Sequence, residues 1–405
     1  MYRGHKLRWI TIGSAVAAIS AVLAGCGSSG SSTSTSSAAS SSATASGGAS
    51  GSASGGALAS YESGLKQVCP SNINVQVNWW PSSDDAFLFD IIGQNGTTDT
   101  SANSYSGEIG SSGVKLTILS GGPAASYQTD SALTYEHSDI YLTMESTDEQ
   151  ISNSAAHPTT SVFAWYQQYP LIFLWGNQKW NFTSMQQIAS SGTKVLAFSS
   201  GTYVGVFEQQ GLLKKSQVDT SYNGTPAQFV AAGGSIIQQG YVDEEPYQLQ
   251  YETQAWGKPV KFFLVGSQNY PVYQDNIAVR TDQLSADSSC LKKLVPLLQA
   301  ASIDYAKSPT AANNAIVSFT NSLKGTGVAV SAGLAKYAYS AQLKYGLVAN
   351  GTDGVYGSFD TTRLQQAITK LSPVLEAEGI HPKTGLTPAD LATNQFLDSS
   401  LKLTK

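Results

Sequence analysis

Aromatic and acidic side chains follow a predicted strand near the start of the folded sequence. Alternating apolar residues predict a strand from Asn72 to Trp80, and the helix expected after it begins with Asp84 and Asp85. Because neighbouring strand residues point to opposite faces, one of Trp79 and Trp80 is expected in the core and the other is free to stack on a flat ligand. The two carboxylates could accept hydrogen bonds from a ligand amine, or Asp84 could simply cap the helix.

A further acidic group follows another predicted strand, in the stretch 223–247. The apolar run Ile236–Val242 is typical of a buried strand, and Glu245 comes after it beside Pro246, which restricts the backbone. Ligands of open α/β sheets bind beyond the carboxyl ends of the strands. We therefore expect Glu245 to accept a hydrogen bond from a ligand, and the alternative is a solvated acidic run. The short helix before this strand is predicted to have Thr225 as its N-cap and Pro226 at its first position.

Two strand-to-helix turns carry hydroxyl groups and glycines. Ser120 and Gly121 form the first turn, and Ser199, Ser200 and Thr202 belong to the second. Their backbone N–H groups and hydroxyls could hold an anion or a carbonyl oxygen at a helix N-terminus. Equally, the glycines could serve only to make the turns.

Three weaker candidates follow the predicted strand Ile236–Val242 or lie at a predicted hinge. They are Tyr247, Tyr273 and Asn276. The chain contains 20 tyrosines, so a tyrosine at a hinge could serve only in packing.

Residues for catalysis or metal binding form no recognisable pattern. The sequence contains no Gly-x-Ser-x-Gly elbow, no Walker loop and no Cys-x-x-Cys pair. His137 and His157 lack partners at metal-ligand spacing. We therefore expect a protein that is not an enzyme and has no cofactor and no metal. A secreted hydrolase acting through two carboxylates is the alternative of another class.

Composition excludes a nucleic-acid-binding surface. The net charge is −5, and the first 25 residues contain three bases and no acid, so that 20 basic residues face 28 acidic ones in the remainder. Nucleic-acid binding relies on clusters of lysine and arginine.

The N-terminus is typical of an exported lipoprotein. A basic start and an apolar run from Ile10 to Leu23 predict a signal peptide over residues 1–25, because the run is shorter than the ~20 residues that span a bilayer. Leu23-Ala24-Gly25-Cys26 resembles a bacterial lipobox, in which Cys26 is diacylated, and a plain secretion signal is the alternative. Residues 26–57, which after Cys26 contain only Gly, Ser, Ala and Thr, predict a flexible tether.

The remaining cysteines, Cys69 and Cys290, are expected to form a disulfide, because the predicted compartment is oxidising. Two buried thiols are the alternative.

The element pattern predicts a two-lobed α/β clamp. Strands and helices alternate over residues 58–162, which indicates a mostly parallel sheet flanked by helices, with a polar surface loop at 93–112. A second α/β unit is expected over residues 163–272. Residues 273–405 are expected to complete the first lobe and to add C-terminal helices. Two crossing segments then join the lobes, and a ligand would bind between them.

Three places in the sequence carry a resemblance to a known family. They are Val77-Asn78-Trp79-Trp80-Pro81 through Phe87, the pair Gln239-Gly240-Tyr241 and Glu245-Pro246-Tyr247, and a tail with Asp360-Thr361-Thr362-Arg363-Leu364-Gln365, Leu386-Thr387-Pro388-Ala389-Asp390-Leu391 and Asn394-Gln395-Phe396. With this order, the chain resembles the extracytoplasmic substrate-binding proteins of ABC importers. The branch is the one that binds nitrate, taurine, aliphatic sulfonates and thiamine pyrimidine precursors.

The resemblance implies a type II periplasmic-binding-protein fold and a lipid anchor on the outer face of the bacterial membrane. It also implies a monomer that delivers a small molecule to a membrane permease and its ATPase. Since the expected cleft offers aromatic and acidic groups, we expect a nitrogen-bearing heterocycle such as a thiamine pyrimidine precursor. Nitrate, taurine or a sulfonate is the alternative ligand, and an enzyme of the related pyrimidine synthase branch is the alternative function.

Overall fold

The structure is a computed structural model that describes residues 55–199, 201–268, 270–323 and 328–404. The predicted signal peptide, Cys26, most of the predicted tether and Ser200 lie outside these residues. The first helix begins at Gly55, within the last residues of the stretch predicted as a tether.

The described residues form two sheets and a set of helices. The strands are β1 Asn72–Gln76, β2 Thr97–Asp99, β3 Ser104–Glu108, β4 Lys115–Leu119, β5 Ile140–Glu145, β6 Thr159–Ala164, β7 Leu171–Trp175, β8 Val195–Leu196, β9 Val218–Asp219, β10 Ile237–Tyr241, β11 Lys261–Leu264 and β12 Asn276–Arg280. The helices are α1 Gly55–Glu62, α2 Leu65–Val68, α3 Ala86–Ile92, α4 Asp130–Glu136, α5 Thr147–Asn153, α6 Met185–Ser191, α7 Thr202–Gln209, α8 Ala227–Ala231, α9 Glu245–Tyr247, α10 Ser288–Lys307, α11 Thr310–Ser322, α12 Ala332–Lys344, α13 Thr361–Ala377 and α14 Pro388–Leu391.

The first sheet has the order β2-β3-β4-β1-β5-β12-β6. Strands β4, β1 and β5 are parallel, as the alternation of strands and helices predicts, and β12 runs antiparallel between β5 and β6. Ile73 and Val75 of β1 are buried in the core beneath α3 and α10. The carboxyl ends of β1, β4 and β5 therefore lie along one edge, where ligands bind in sheets of this kind.

The prediction of a surface loop at 93–112 is wrong. The segment forms the hairpin β2–β3, and β3 pairs antiparallel with β4 at the edge of the first sheet. Tyr105 is 3% exposed, stacks on Phe89 with ring centroids 4.9 Å apart, and donates its hydroxyl to the Gly93 carbonyl at 2.7 Å. Serines alternate with the buried tyrosine, and this polar composition hid the strand.

The second sheet has the order β11-β7-β10-β8-β9. Strands β8, β9 and β10 are parallel, and β7 runs antiparallel to β10 and β11. The apolar run 161–175 thus supplies β6 to one sheet and β7 to the other, with its break at Tyr169-Pro170. The chain crosses between the sheets twice, once after Ala164 and again before Asn276.

Helix α13 contacts both halves of the fold. It packs on α5, which follows the first sheet's β5, and on α7 beside the second sheet. Gly205 of α7 lies directly against Val374 of α13, and a Cβ at this glycine would lie 2.6 Å from a Val374 methyl. The absent side chain permits the close approach of the two helices.

Two local predictions concern caps and crosslinks. The disulfide is confirmed, because the Cys69 and Cys290 sulfurs are bonded at 2.00 Å and join the end of α2 to α10. The cap at Thr225 is wrong: α8 begins after Pro226, and the Thr225 hydroxyl donates to the Asn223 side chain at 2.8 Å. Asn223 makes its own turn with these groups and so removes Thr225 from the helix end.

In the described residues, no helix is both long and apolar enough to cross a membrane.

Candidate functional site

Carboxylates from both halves of the fold meet at the hydroxyl of Tyr166, in the first crossing. This hydroxyl lies 2.9 Å from Asp84 Oδ1, after β1, and 2.9 Å from Asp243 Oδ2, after β10. Gln342 of α12 donates its amide to the same hydroxyl oxygen at 2.7 Å and to the Ser83 carbonyl at 2.9 Å. The tyrosine has one proton, so it can donate to only one of the two carboxylates at a time.

Burial governs the protonation of these groups. It is the largest cause that raises the Tyr166 pKa well above its usual value, and the neighbouring Asp243 and Asp84 charges add to it. Burial also raises the pKa of Asp243 well above 3.8, with the Asp84 charge second. The pKa of Asp84 is raised by the same cause. Asp84 is partly exposed whereas Asp243 is 1% exposed, so we give the shift at Asp243 more weight.

The Asp243 carboxylate is incompletely satisfied. Its Oδ1 atom is buried and has no hydrogen-bond partner, while Oδ2 is the atom beside Tyr166. A buried charge normally has a partner, because desolvation of an isolated charge is costly. This atom therefore marks a position where a donor is missing.

Asp275 adds a third carboxylate from the second crossing. Its backbone has a φ of 57°, and its Oδ1 accepts from Asn78 at 2.7 Å and from Gln274 at 3.0 Å. Burial, followed by the charge of Asp84, raises its pKa to about 8. Aspartate tolerates this left-handed backbone better than most residues.

Glu244 and Glu245 continue the acidic run after β10. Burial and then the Asp84 charge raise the Glu244 pKa well above its usual value, which indicates that this side chain faces the first lobe's loop. Glu245 turns back onto its own strand, where Oε2 accepts from the Tyr241 N–H at 2.5 Å. Burial raises the Glu245 pKa to about 7, against the effect of that hydrogen bond. Thus Asp243 and Glu244 face the junction more directly than Glu245.

These carboxylates have no basic partner within the described residues. The ion pairs of this part of the chain lie at the surface and are Lys194–Asp219, Arg280–Asp282 and Lys383–Asp390. Arg363 lies nearer to the crossings but is occupied there. Its guanidinium donates to the Gln167 and Val272 carbonyls at 2.6 Å each and stacks on Tyr273 at 3.7 Å. The junction is therefore strongly acidic.

Aromatic rings from both halves of the fold also meet at the junction. Trp79 is 41% exposed, and its ring centroid is 5.9 Å from Tyr127 and 6.4 Å from Phe198 of the second half. Phe198 in turn packs 4.7 Å from Tyr222. Trp80 is half-buried against the first core. Strand β1 ends at Gln76, short of the predicted end at Trp80, so both tryptophans lie beyond the strand; their surroundings differ, and Trp79 is the more exposed of the two.

Several predicted residues have structural contacts instead. Asp85 is 4% exposed, and its Oδ2 accepts from the Ser82 N–H at 2.9 Å in a capping box whose N-cap is Ser82, so Asp84 is not the cap of this helical turn. The Ser120 hydroxyl donates to the Asn103 carbonyl at 2.5 Å. Gly121 lies so close to β1 that a Cβ there would be 1.9 Å from the Val77 carbonyl oxygen.

The other candidates divide between surface and core. Ser199 is exposed, and Thr202 is half-buried at the first position of α7. Tyr247 packs against Tyr251 and Tyr337, with ring centroids 4.8 and 5.5 Å away.

Asn276 and Tyr273 are buried at the second crossing. Asn276 is 0% exposed and pairs with Glu145 across the first sheet, and Tyr273 is fixed by the Arg363 guanidinium. These two side chains support the crossing.

A second set of buried acids lies behind β5. Burial raises the pKa values of Asp130 and Glu145 well above their usual values, and Glu149 is the next largest cause for both. Burial raises the pKa of Glu149 to about 7, although it accepts hydrogen bonds from Ser131. Within the described chain, no group of three or more His, Cys, Asp or Glu is placed so that it could hold a metal ion.

The surface also has concavities away from the junction. One of about 480 Å³ lies on the outer face of α13 and is lined by Thr361, Thr362, Gln365, Gln366, Thr369, Lys370 and Pro388. No aromatic side chain and no buried charged side chain lines this concavity. We therefore place the candidate site at the junction, where unpaired charge and exposed rings coincide.

Sequence reasoning missed Tyr166, Asp243, Asp275 and Phe198. Tyr166 stands in an apolar run that indicates only a strand, and Phe198 is a lone aromatic at a strand end. Asp243 and Asp275 were adjacent to predicted residues, in the acidic run and in the hinge. Their position one or two residues from a strand end is the signal that could have identified them.

Comparison with known proteins supports the fold. No protein-family model matches the chain, and no curated protein sequence matches it. Among solved structures, the periplasmic sulfonate-binding protein SsuA of a sulfonate ABC transporter from Methylobacillus flagellatus KT is similar at a TM-score of 0.53 and 12% identity, over 80% of this chain and 92% of its own. A protein of Bordetella bronchiseptica RB50 is similar at 0.50 and 13%, over 81% and 96%. Desulfurization enzyme DSZB has a TM-score of 0.47 and 13% identity, over 81% and 99%.

This similarity establishes the two-lobed α/β fold of periplasmic binding proteins and confirms the predicted fold class. We refer below to the body around the first sheet as lobe 1 and to the body around the second sheet as lobe 2. Because one fold hosts many functions, the function is argued from the junction between them.

Proposed function

We propose that this chain is the solute-binding receptor of an ABC importer, which captures a small molecule between its lobes and delivers it to the permease. The observation that carries the proposal is the meeting of Asp84 from lobe 1 and Asp243 from lobe 2 at Tyr166. Polar groups that converge from two lobes on one point beside a crossing are arranged for hinge closure around a ligand. The fold shared with a periplasmic sulfonate-binding protein supports the same function.

The chemistry of the junction favours a flat, nitrogen-bearing ligand. Trp79 and Phe198 offer ring faces from the two lobes, and the carboxylates of Asp84, Asp243 and Glu244 can accept hydrogen bonds from exocyclic amines. A thiamine pyrimidine precursor has these features. Nitrate and sulfonates fit less well, because an anion would face unpaired carboxylates with no basic side chain.

The proposal extends to location and partners. The chain would be exported, diacylated at Cys26 and held on the outer face of the membrane by the tether of residues 26–57. It would act as a monomer and present its ligand to a permease with a cytoplasmic ATPase. It would bind the ligand and leave it chemically unchanged, since binding needs only the converging acceptors and rings described above.

Calorimetric titration of the purified full-length chain in detergent tests the proposal. The ligands are aminopyrimidines, alkanesulfonates, taurine and nitrate, and chromatography of each mixture measures turnover. Saturable binding without turnover is expected for an aminopyrimidine. Binding of sulfonates alone would contradict the proposal that the ligand is a nitrogen-bearing heterocycle. Conversion of any ligand would contradict the proposed receptor function.

A further inference from the structure

The carboxylates at the junction come from both lobes and face one another. Asp84 Oδ1 and Asp243 Oδ2 are each 2.9 Å from the same Tyr166 oxygen, and the charges of Asp84 and Asp85 act on Glu244. The carboxylates therefore approach one another most closely when the lobes are together. Closure of the lobes brings these carboxyl groups into a buried region, where they must either hold a proton, as their raised pKa values indicate, or receive a counter-charge.

The protein supplies too few donors to satisfy these carboxyl groups in their charged form. Tyr166 can donate its single proton to one carboxylate, and the Gln342 amide is directed at Tyr166 and Ser83. Asp243 Oδ1 has no partner at all, in a residue that is 1% exposed. In the part of the chain that the structure describes, no lysine or arginine forms an ion pair with these acids. A positive group is missing from the closed junction.

The surroundings indicate what kind of cation would supply that charge. No set of acidic or histidine side chains in the described residues is arranged to hold a metal ion. Trp79 belongs to the same segment between β1 and α3 as Asp84, its ring is 41% exposed, and it contacts Tyr127 and, across the junction, Phe198. Tryptophan faces attract organic cations, and they also cover the apolar body of such a molecule. The combination fits an ammonium or amidinium group carried on a flat apolar body.

Taking the receptor function proposed above as its basis, we propose that the ligand is an organic cation whose charged nitrogen enters between Asp84 and Asp243 and thereby permits the lobes to close. The cation acts as the counter-charge that the protein lacks. A ligand that contacts both carboxylates binds the closed state better than the open state, and this difference in affinity drives closure. A neutral molecule of the same shape would supply no counter-charge, and the carboxyls could then be buried only in their protonated form.

Probes matched in shape and different in charge test the proposal. The full-length chain is titrated by calorimetry with benzamidine and benzylamine, with the neutral benzamide and benzyl alcohol, and with the anion phenylmethanesulfonate. The cations are expected to bind at least about tenfold more tightly than their neutral counterparts, a difference typical of one buried charged hydrogen bond. Asp243→Asn should abolish most of that preference. If the neutral probes or the sulfonate bind as tightly as the cations or more tightly, the ligand is not a cation, and the proposed receptor function is unaffected.

A second measurement needs no ligand. The double variant Asp84→Asn with Asp243→Asn keeps the side-chain shapes and removes the two charges. The matched control, Asp219→Asn with Asp282→Asn, removes one surface carboxylate from each lobe. Hydrogen exchange of the full-length chain should slow in residues 78–85 and 241–247 of the first double variant, because the lobes close without a counter-charge. If hydrogen exchange in the first double variant equals that in the control, charge at the junction does not control closure of the lobes. In the calorimetric experiment, failure of every probe to bind would count against the receptor function itself.

Discussion

Asp84 and Asp243 come from different lobes and share one hydroxyl, each lying 2.9 Å from the Tyr166 oxygen. Asp84 follows the central strand of lobe 1, Asp243 follows β10 of lobe 2, and Tyr166 belongs to the segment that joins the lobes. A change at any of these residues should therefore alter both the junction and the relative position of the lobes.

Replacement of Tyr166 by phenylalanine should weaken binding and lower stability together. It leaves the Gln342 amide and two carboxylates without the hydroxyl, and an unsatisfied buried polar group costs about 1–3 kcal/mol. We expect the unfolding temperature to fall by several degrees and the affinity for the bound cation to fall about tenfold. The control is Tyr339→Phe, which removes a hydroxyl bonded to the Ala306 carbonyl at 2.9 Å, away from the junction. A loss of affinity in the control as large as that in Tyr166→Phe would contradict the assignment.

Replacement of Trp79 by alanine should reduce affinity with little effect on folding. The side chain is 41% exposed, and a stacked aromatic pair contributes about 0.5–1.5 kcal/mol, so we expect an affinity roughly 2- to 13-fold lower. Calorimetry and thermal unfolding measure the two effects separately. Tyr251→Ala is the control, because Tyr251 is 65% exposed and packs on Tyr247 instead. If the Trp79 variant binds as tightly as the control, no ligand stacks on this ring.

The ligand-free protein should lose stability as the pH rises from about 4 to about 8. The native pKa of Asp275, about 8, lies above the ordinary 3.8, so the folded protein retains a proton that the unfolded chain releases. This stabilisation is complete below the unfolded pKa and is lost as the pH rises through the folded one, with a slope of about 1.4 kcal/mol per pH unit for each such proton.

Asp275→Asn should flatten that pH profile. Asparagine tolerates the left-handed backbone and can still accept from Asn78, so the fold is retained. Other buried carboxyls with raised pKa values titrate over the same range and keep part of the slope; they are Asp84, Asp85 and Asp130. The unfolding temperature between pH 5 and pH 8 measures the effect. A profile as steep as that of the parent would exclude Asp275 as a contributor.

Removal of the disulfide should destabilise the whole body. The bridge closes a loop with a sequence separation of 221 residues, and loss of a native disulfide costs about 2–5 kcal/mol. The double variant Cys69→Ser with Cys290→Ser should unfold at a lower temperature under oxidising conditions. Under reducing conditions the parent should match the variant. Titration of free thiols in the unfolded, unreduced parent checks that Cys69 and Cys290 are bonded.

The prediction from sequence was strongest where apolar residues alternate or cluster. The β1 strand, the parallel arrangement of β4, β1 and β5, and the division of 161–175 between two sheets follow from such patterns. The β2–β3 hairpin was missed, because serines occupy the positions around its one buried aromatic residue, Tyr105. Edge strands of this kind depend on pairing rather than composition.

The sequence identified only part of the residues that meet at the junction. Trp79 and Asp84 lie at the junction as expected, whereas Asp85 caps a turn and Glu245 folds back onto its own strand. Tyr166, which links the two halves, was hidden in an apolar run. Its role depends on contacts with Asp84 and Asp243, which are distant in sequence, and no local pattern reports such contacts.

The disulfide has a topological consequence for resistance to proteases. All twelve strands of the described chain, and both crossings between the sheets, lie between Cys69 and Cys290. A protease that cut a single peptide bond in this interval would leave two pieces still joined through sulfur and still paired in the same sheets. Only a cut outside this interval, before Cys69 or beyond Cys290, could release a fragment of the folded body. One cut in either segment that joins the lobes would therefore not separate them.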